Sequence, residues 1–125
     1  SSLIGVIAQR LVGVNCPECS APAPPPDIVF DEMTDVLKRL PDPVFRAGPG
    51  CAKCLETGYY GRTGIFELLL IDEGIRSLIM VRASSADIKK AAVARGLRTL
   101  RVDGAEKVTR GATSISEVLR VTQET

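Results

Sequence analysis

"CAKCLETGYYGRTGIFELLL", residues 51–70, is the stretch on which the fold turns: a Cys-x-x-Cys pair (Cys51, Cys54), a glycine-and-tyrosine crossing, and an apolar run holding one carboxylate, Glu67. The apolar run reads as a β-strand of about five to seven residues, and the glycine-rich "ETGYYGRTG" before it as turns. The cysteine pair admits three chemistries: half of a metal site, a redox dithiol, or the reactive end of an enzyme.

A second pair upstream narrows the choice. "CPEC" (Cys16, Cys19) precedes "CAKC" with 31 residues between Cys19 and Cys51. Two Cys-x-x-Cys turns are the ligand set of a closed tetrahedral zinc site, each turn presenting two thiolates to one ion at about 2.3 Å. Cys16, Cys19, Cys51 and Cys54 are therefore read as ligands of one structural Zn2+, with iron in the same tetrathiolate cage as the main alternative. A disulfide framework would require an oxidising compartment, and nothing in the sequence points to export. A thioredoxin-like pair belongs at a strand-to-helix junction, whereas Cys16 follows an apolar segment read as a helix and Cys54 precedes a Gly-Tyr turn. Catalytic zinc keeps an open coordination position, often with histidine among its ligands, and the chain has no histidine. The metal is thus expected to hold structure together.

Outward from the knuckles, residues 2–12, "SLIGVIAQRLV", place Leu3, Ile7 and Leu11 four apart with Val6 and Val12 nearby, which reads as a largely buried helix despite Gly5. Such a start, in the middle of a helix, is read as that of a fragment whose main activity lies upstream. Between the knuckles, "APAPPP" (21–26) is a stiff extended connector. "DIVFDEMTDVLKRL" (27–40) is a helix with a stripe of Ile28, Met33, Val36, Leu37 and Leu40, an acidic start, a basic end, and Pro41 and Pro43 as its stop. "VFRAGPG" returns to the second knuckle, so the metal clips both ends of a helical excursion whose closure is otherwise entropically costly.

Beyond the strand, four short amphipathic helices are expected at 72–82, 85–95, 99–110 and 114–122. Leu78, Ile79, Ile88, Ala92, Leu100, Val108, Ile115, Val118 and Leu119 are their core positions. A Ser84/Ser85 cap opens the second, and Ser114 with Glu117 has capping-box spacing. The expected fold is mainly α with a little β: a tetracysteine zinc-binding subdomain inserted between a buried N-terminal helix and a small C-terminal helical bundle. Its parts are residues 1–15 (helix of a truncated core), 16–54 (metal-binding subdomain), 55–71 (turn and strand) and 72–125 (helical subdomain).

Composition narrows function mainly by exclusion. The chain has 125 residues, 45% hydrophobic and 25% charged, with a net charge of +1, which suits a soluble domain and names no partner. Nucleic-acid binding calls for a basic stripe with interleaved aromatics, and balanced charge with two tyrosines and three phenylalanines does not supply one. A P-loop requires Gly-Lys-Ser/Thr, yet none of Lys38, Lys53, Lys89, Lys90 or Lys107 is followed by serine or threonine. Without histidine there is no Ser-His or Cys-His pair. No catalytic residue is assigned, and Glu67 is read as a structural ion-pair partner of Arg62.

The ordered motifs "GVIAQRLV", C-P-x-C, C-x-x-C, "GYYGRTGIFELL" and "DGAEKVTRGATSISEVLRVT" resemble the C-terminal part of the type II secretion ATPases and their relatives, the type IV pilus assembly ATPases. The resemblance runs from Leu3 to Thr122 and departs mainly in the proline-bearing insertion. It implies a hexameric, cytoplasmic motor at the bacterial inner-membrane face that hydrolyses ATP with Mg2+ through motifs upstream of this chain. These residues would supply a zinc subdomain and a helical subdomain facing neighbouring subunits, the inner-membrane secretion platform and acidic phospholipid. Lys38, Arg39, Arg46 and Lys53 are the candidate membrane or partner contacts, no nucleic acid is expected, and Arg10 and Arg62 match the family's "AQRLV" and "GRxGI" positions. The competing readings are a free-standing zinc-ribbon protein that binds nucleic acid and a thiol redox protein.

Overall fold

The computed structural model describes residues 4–27, 30–40 and 42–123. Among them the chain order is β1 (Gly5–Asn15), β2 (Ala21–Pro22), α1 (Asp31–Arg39), β3 (Arg46–Ala47), β4 (Tyr59–Leu70), α2 (Glu73–Met80), α3 (Ser85–Ala94), α4 (Leu100–Thr109) and α5 (Ile115–Thr122). β1 and β4 form one antiparallel two-stranded sheet, β2 and β3 another.

The expected N-terminal helix is corrected to a strand, β1. A spacing of four keeps Ile7 and Leu11 on one face in either conformation, because four residues is close to one helical turn and also an even step along a strand. What arbitrates is the β-branched content of the run and the glycines near its ends, Gly5 and Gly13, which suit an extended chain better than a helix. Leu3, the third member of the proposed stripe, lies outside the described residues, as do Ile28 and Pro41.

β1 meets β4 in register from Gly5↔Leu70 to Gly13↔Arg62, then shifts to Asn15↔Tyr59. The shift puts one extra residue in β4 around Gly61, whose φ of +78° is the left-handed conformation that glycine accommodates. The strand over 59–70 is longer than the expected apolar run because the glycine-rich crossing joins it.

Among the described residues, helices cover one face of this ribbon and leave the other open. Val12 and Ile65, on the same face, are fully buried where α4 and α5 cross the ribbon. The main core lies beyond: Phe30, Met33, Val36 and Phe45 pack with Ala105, Val108 and Val118, flanked by Leu37, Leu40, Val102, Ile115 and Leu119. Helix α1 therefore shares a core with the C-terminal helices α4 and α5. Where α4 passes α5, Gly104 leaves no room for a side chain, since a Cβ there would sit 2.6 Å from Val118 Cγ1.

The C-terminal helices match the expected spans within two residues at each end, and their caps explain why. Asp72, Ser84, Thr99 and Ser114 each accept a hydrogen bond from the amide three residues on. Ser114 caps α5 as its spacing suggests, but the Glu117 carboxylate turns away from the box and accepts the Gly13 amide of β1 at 2.7 Å. Ile79, expected in the core, is 43% exposed.

Candidate metal centre

Both cysteine pairs lie in turns, and the fold brings the turns together. β1 ends at Asn15 and the chain bends at once through Cys16–Cys19, where the Ser20 amide donates to the Cys16 carbonyl at 2.9 Å. The second turn leads into β4, with Glu56 N donating to Cys51 O at 2.8 Å. The Cys16 amide donates to Gly58 O at 2.9 Å, joining one knuckle to the other. Cys16 does follow a strand, but no helix begins at either pair, so no helix N-terminus acts on a thiol as a redox dithiol would require.

The four sulfurs form one cluster. Cys16 Sγ lies 3.7 Å from Cys51 Sγ, Cys19 Sγ 3.9 Å from Cys54 Sγ, and Cys51 Sγ 3.7 Å from Cys54 Sγ. All four lie within 4.8 Å of one another. A tetrahedron with metal–sulfur bonds of about 2.3 Å has edges of about 3.8 Å, so the cage has the dimensions of a tetrathiolate zinc or iron site. The spacing is far from the roughly 2.05 Å of a disulfide, and all four cysteines are free thiols. Cys16 and Cys54 are buried, while Cys19 and Cys51 reach partway to the surface.

The backbone is arranged around sulfur. Cys54 Sγ accepts the amides of Cys51 and Gly58, each at 3.2 Å. Burial raises the Cys54 thiol, but these amides and the neighbouring Cys51 and Cys19 thiols outweigh it and bring the pKa to about 6. Cys19 goes the other way: burial, only partly offset by the Gly50 amide and reinforced by the three thiol neighbours, pushes it to about 12. Thiols this close resist carrying several negative charges together, and a divalent cation among them removes that conflict.

Two glycines missed in the sequence reading shape the cage. A side chain at Gly48 would place Cβ 2.7 Å from Cys19 Sγ, and at Gly58, whose φ is +86°, 2.6 Å from the Gly48 carbonyl. Asn15 was missed as well. Buried beside Cys16, it donates through Nδ2 to the carbonyls of Arg46, Gly111 and Thr113 at 3.2, 2.9 and 3.3 Å, tying the first knuckle to β3 and the α4–α5 loop. The signal available in sequence was the glycines around the second pair and the single asparagine that directly precedes Cys16.

Arg62 and Glu67 are not brought together. They are five residues apart on β4, an odd step that sends them to opposite faces. Glu67 Oε1 instead accepts the Leu100 amide at 2.9 Å at the start of α4, with Lys89 Nζ at 3.8 Å, and Arg62 is exposed. Arg10 is exposed too, donating to the Gln9 carbonyl at 2.9 Å. Of the candidate partner cations, Lys38 is exposed on α1 and Arg39 pairs with Glu106 at 3.3 Å. Arg46 donates to the Ser20 carbonyl at 2.8 Å, and Lys53 pairs with Glu18 at 3.6 Å while lying 4.9 Å above the Tyr60 ring. No helix among the described residues is long and apolar enough to cross a membrane.

Comparison with known proteins places this arrangement. The family model described as "Type II/IV secretion system protein" matches residues 1–120. Type II secretion system ATPase E of Vibrio cholerae is 44% identical over 124 residues, covering 99% of this chain and 24% of that protein. Type II secretion system protein E of Pseudomonas aeruginosa is 43% identical over 124 residues, with the same coverage. Type IV pilus assembly ATPase PilB of Thermus thermophilus is 37% identical over 124 residues, 99% of this chain and 14% of that protein. The chain thus spans about a quarter or less of the length of these relatives.

Proposed function

Because the chain belongs to the type II/IV secretion system protein family, we propose that it is the noncatalytic, zinc-binding C-terminal module of a secretion ATPase that powers type II pseudopilus or type IV pilus assembly. The observation that carries this reading is the four-sulfur cage of tetrahedral dimensions in a chain without a P-loop lysine or a histidine.

Cys16, Cys19, Cys51 and Cys54 hold Zn2+ through four thiolates, and a closed shell of this kind supplies coordination without a position for substrate or water. The amides of Cys51 and Gly58 stabilise negative charge on Cys54 and set the knuckle's shape. ATP and Mg2+ belong to the part of the parent outside this chain. The module shapes the subunit and meets neighbouring subunits of a hexamer, the inner-membrane platform and, through cations such as Lys38 and Lys53, acidic phospholipid at the cytoplasmic face.

Elemental analysis with an ATPase assay tests the reading. About one zinc per chain is expected, with thiols that resist alkylation until a chelator is added. ATP turnover by this chain alone, or rapid metal-independent alkylation of all four cysteines, would overturn it.

A further inference from the structure

None of residues 21–26, "APAPPP", ligates the metal or enters the buried core. Proline nonetheless fixes the backbone at every one of them. Ala21 and Ala23 each precede a proline, which bars the helical region, and Pro22, Pro24, Pro25 and Pro26 have φ locked at about −65°. A chain so confined is a polyproline II helix with three residues per turn.

The burial of the run repeats with that period. Ala23 and Pro26 are half-buried, while Ala21, Pro22, Pro24 and Pro25 are exposed. An extended strand would alternate in twos instead. The row of Ala23 and Pro26 therefore lies against the molecule, and the rows Ala21/Pro24 and Pro22/Pro25 face outward as a ridge. Both ends of the ridge are anchored. Ala21 and Pro22 pair with Ala47 and Arg46, and the Ala23 amide donates to the Phe45 carbonyl at 2.8 Å. Downstream, Phe30 at the start of α1 is buried in the main core. The ridge is thus ordered before anything touches it, so contact with it costs little conformational entropy.

The chemistry of the ridge selects its occupant. Pro24, Pro25 and Pro26 have no amide hydrogen, so their backbone presents carbonyl acceptors and no donor beside apolar rings. Aromatic rings that carry a donor, the Trp indole N–H and the Tyr O–H, match both features. Charge gives the ridge a direction. From Ser20 to Leu37 the chain holds Asp27, Asp31, Glu32 and Asp35 and no lysine or arginine, and Asp27 directly follows the ridge and is exposed. At the opposite end Arg46 donates to the Ser20 carbonyl at 2.8 Å.

We propose that Ala21, Pro22, Pro24 and Pro25 form a docking ridge for a folded partner protein, whose groove is lined by Trp and Tyr and carries a Lys or Arg at the Asp27 end. Six residues at about 3.1 Å each span roughly 19 Å, enough for two aromatic slots that each take one outward pair. The ridge is argued from these residues alone and goes beyond the functional reading, so zinc content and ATP turnover of the parent report on that reading separately.

Two measurements on the zinc-loaded full-length parent test the ridge. The first uses a 15N-labelled WW domain, a module with a Trp–Tyr groove, as the probe. Its groove indole resonance is expected to shift on titration with the parent, and Pro24→Ala/Pro25→Ala should weaken that binding about tenfold or more. No shift at millimolar probe, or binding indifferent to the two prolines, would overturn the proposal. The second places photoreactive p-benzoylphenylalanine at position 21 in the parent's own cells and maps the crosslinked residue by mass spectrometry. A crosslink beside Trp or Tyr in a groove of one other protein is expected. The purified partner should then bind about tenfold more weakly to Pro24→Ala/Pro25→Ala and about threefold more weakly to Asp27→Lys, which leaves every proline in place. Crosslinks only to a second copy of the parent, only to lipid or to nothing would overturn it. So would unchanged partner affinity in variants of reduced stability, the result expected if the prolines serve only as a stiff spacer. Zinc content of each variant, measured on the same sample, shows that the knuckles are intact.

Discussion

The two ends of β1 are held in opposite ways. The Asn15–Cys16 end is densely bonded inside the chain: four sulfurs face one another, Asn15 reaches three carbonyls, and Glu117 and Thr113 take the Gly13 amide and carbonyl at 2.7 and 2.6 Å. At the Gly5–Leu11 end the strand has one neighbour and an apolar face in water. One continuous strand thus passes from a tightly bonded joint to an end whose apolar residues face water.

The largest test of that contrast is loss of the metal cage. Cys54→Ser removes a buried ligand, and the variant is expected to lose bound zinc and several kcal/mol of unfolding free energy, out of the roughly 10–16 kcal/mol that structural zinc contributes in small zinc domains. Metal analysis with urea unfolding checks it, and a cost no larger than that of a surface substitution would erase the distinction between the two ends.

Next is the core that couples α1 to the C-terminal helices. Met33→Ala empties a fully buried site between α1 and its neighbours and should cost about 2–5 kcal/mol in urea unfolding. Asn15→Ala leaves three carbonyls without their shared donor, for an expected loss of about 1–3 kcal/mol, with faster exchange of the Asn15 amide, which donates to Ala112 O.

Glu117 sharpens the comparison through pH. Its hydrogen bond from Arg120, opposed by burial and aided by the Gly13 amide, holds the carboxyl below its ordinary value of 4.5. A depressed carboxyl contributes stability that is fully present above the unfolded pKa and is lost as pH falls through the folded one. Glu117→Gln should therefore cost about 1 kcal/mol at neutral pH, a difference level above about pH 4.5 that shrinks as the solution is acidified further. A pH series of denaturation midpoints for both proteins measures it. Smallest of all, Ile7→Lys should move the stability of the 125-residue chain by no more than about 0.5 kcal/mol, because the side chain packs on nothing here; a loss of several kcal/mol would mean that the open end is already closed.

The parts legible in the sequence were those with a local cause. Two Cys-x-x-Cys turns announce one four-sulfur site whatever the intervening fold, and capped amphipathic segments announce α2 to α5. β1 differs from the expected helix because its apolar spacing fits both helical and extended periods, and the partner strand that holds it extended lies 44 to 65 residues further along the chain. For the same reason Arg62 and Glu67 looked like neighbours: their relation depends on strand parity rather than sequence distance. The roles of Asn15, Gly48 and Gly58 depend on contacts between segments far apart in sequence, which no local pattern encodes.

The register beside the knuckles has a consequence for the order of folding. Asn15 and Tyr59 pair next to Cys16 and Gly58, so once the sulfurs have gathered around an ion the partners of β1 and β4 are already adjacent. The long excursion between the strands then no longer enters the entropy of closing them, and the four-sulfur cluster serves as the turn of a hairpin. The ribbon is expected to zip from Asn15 and Tyr59 toward Gly5 and Leu70, and stopped-flow refolding should be slower when the metal is withheld.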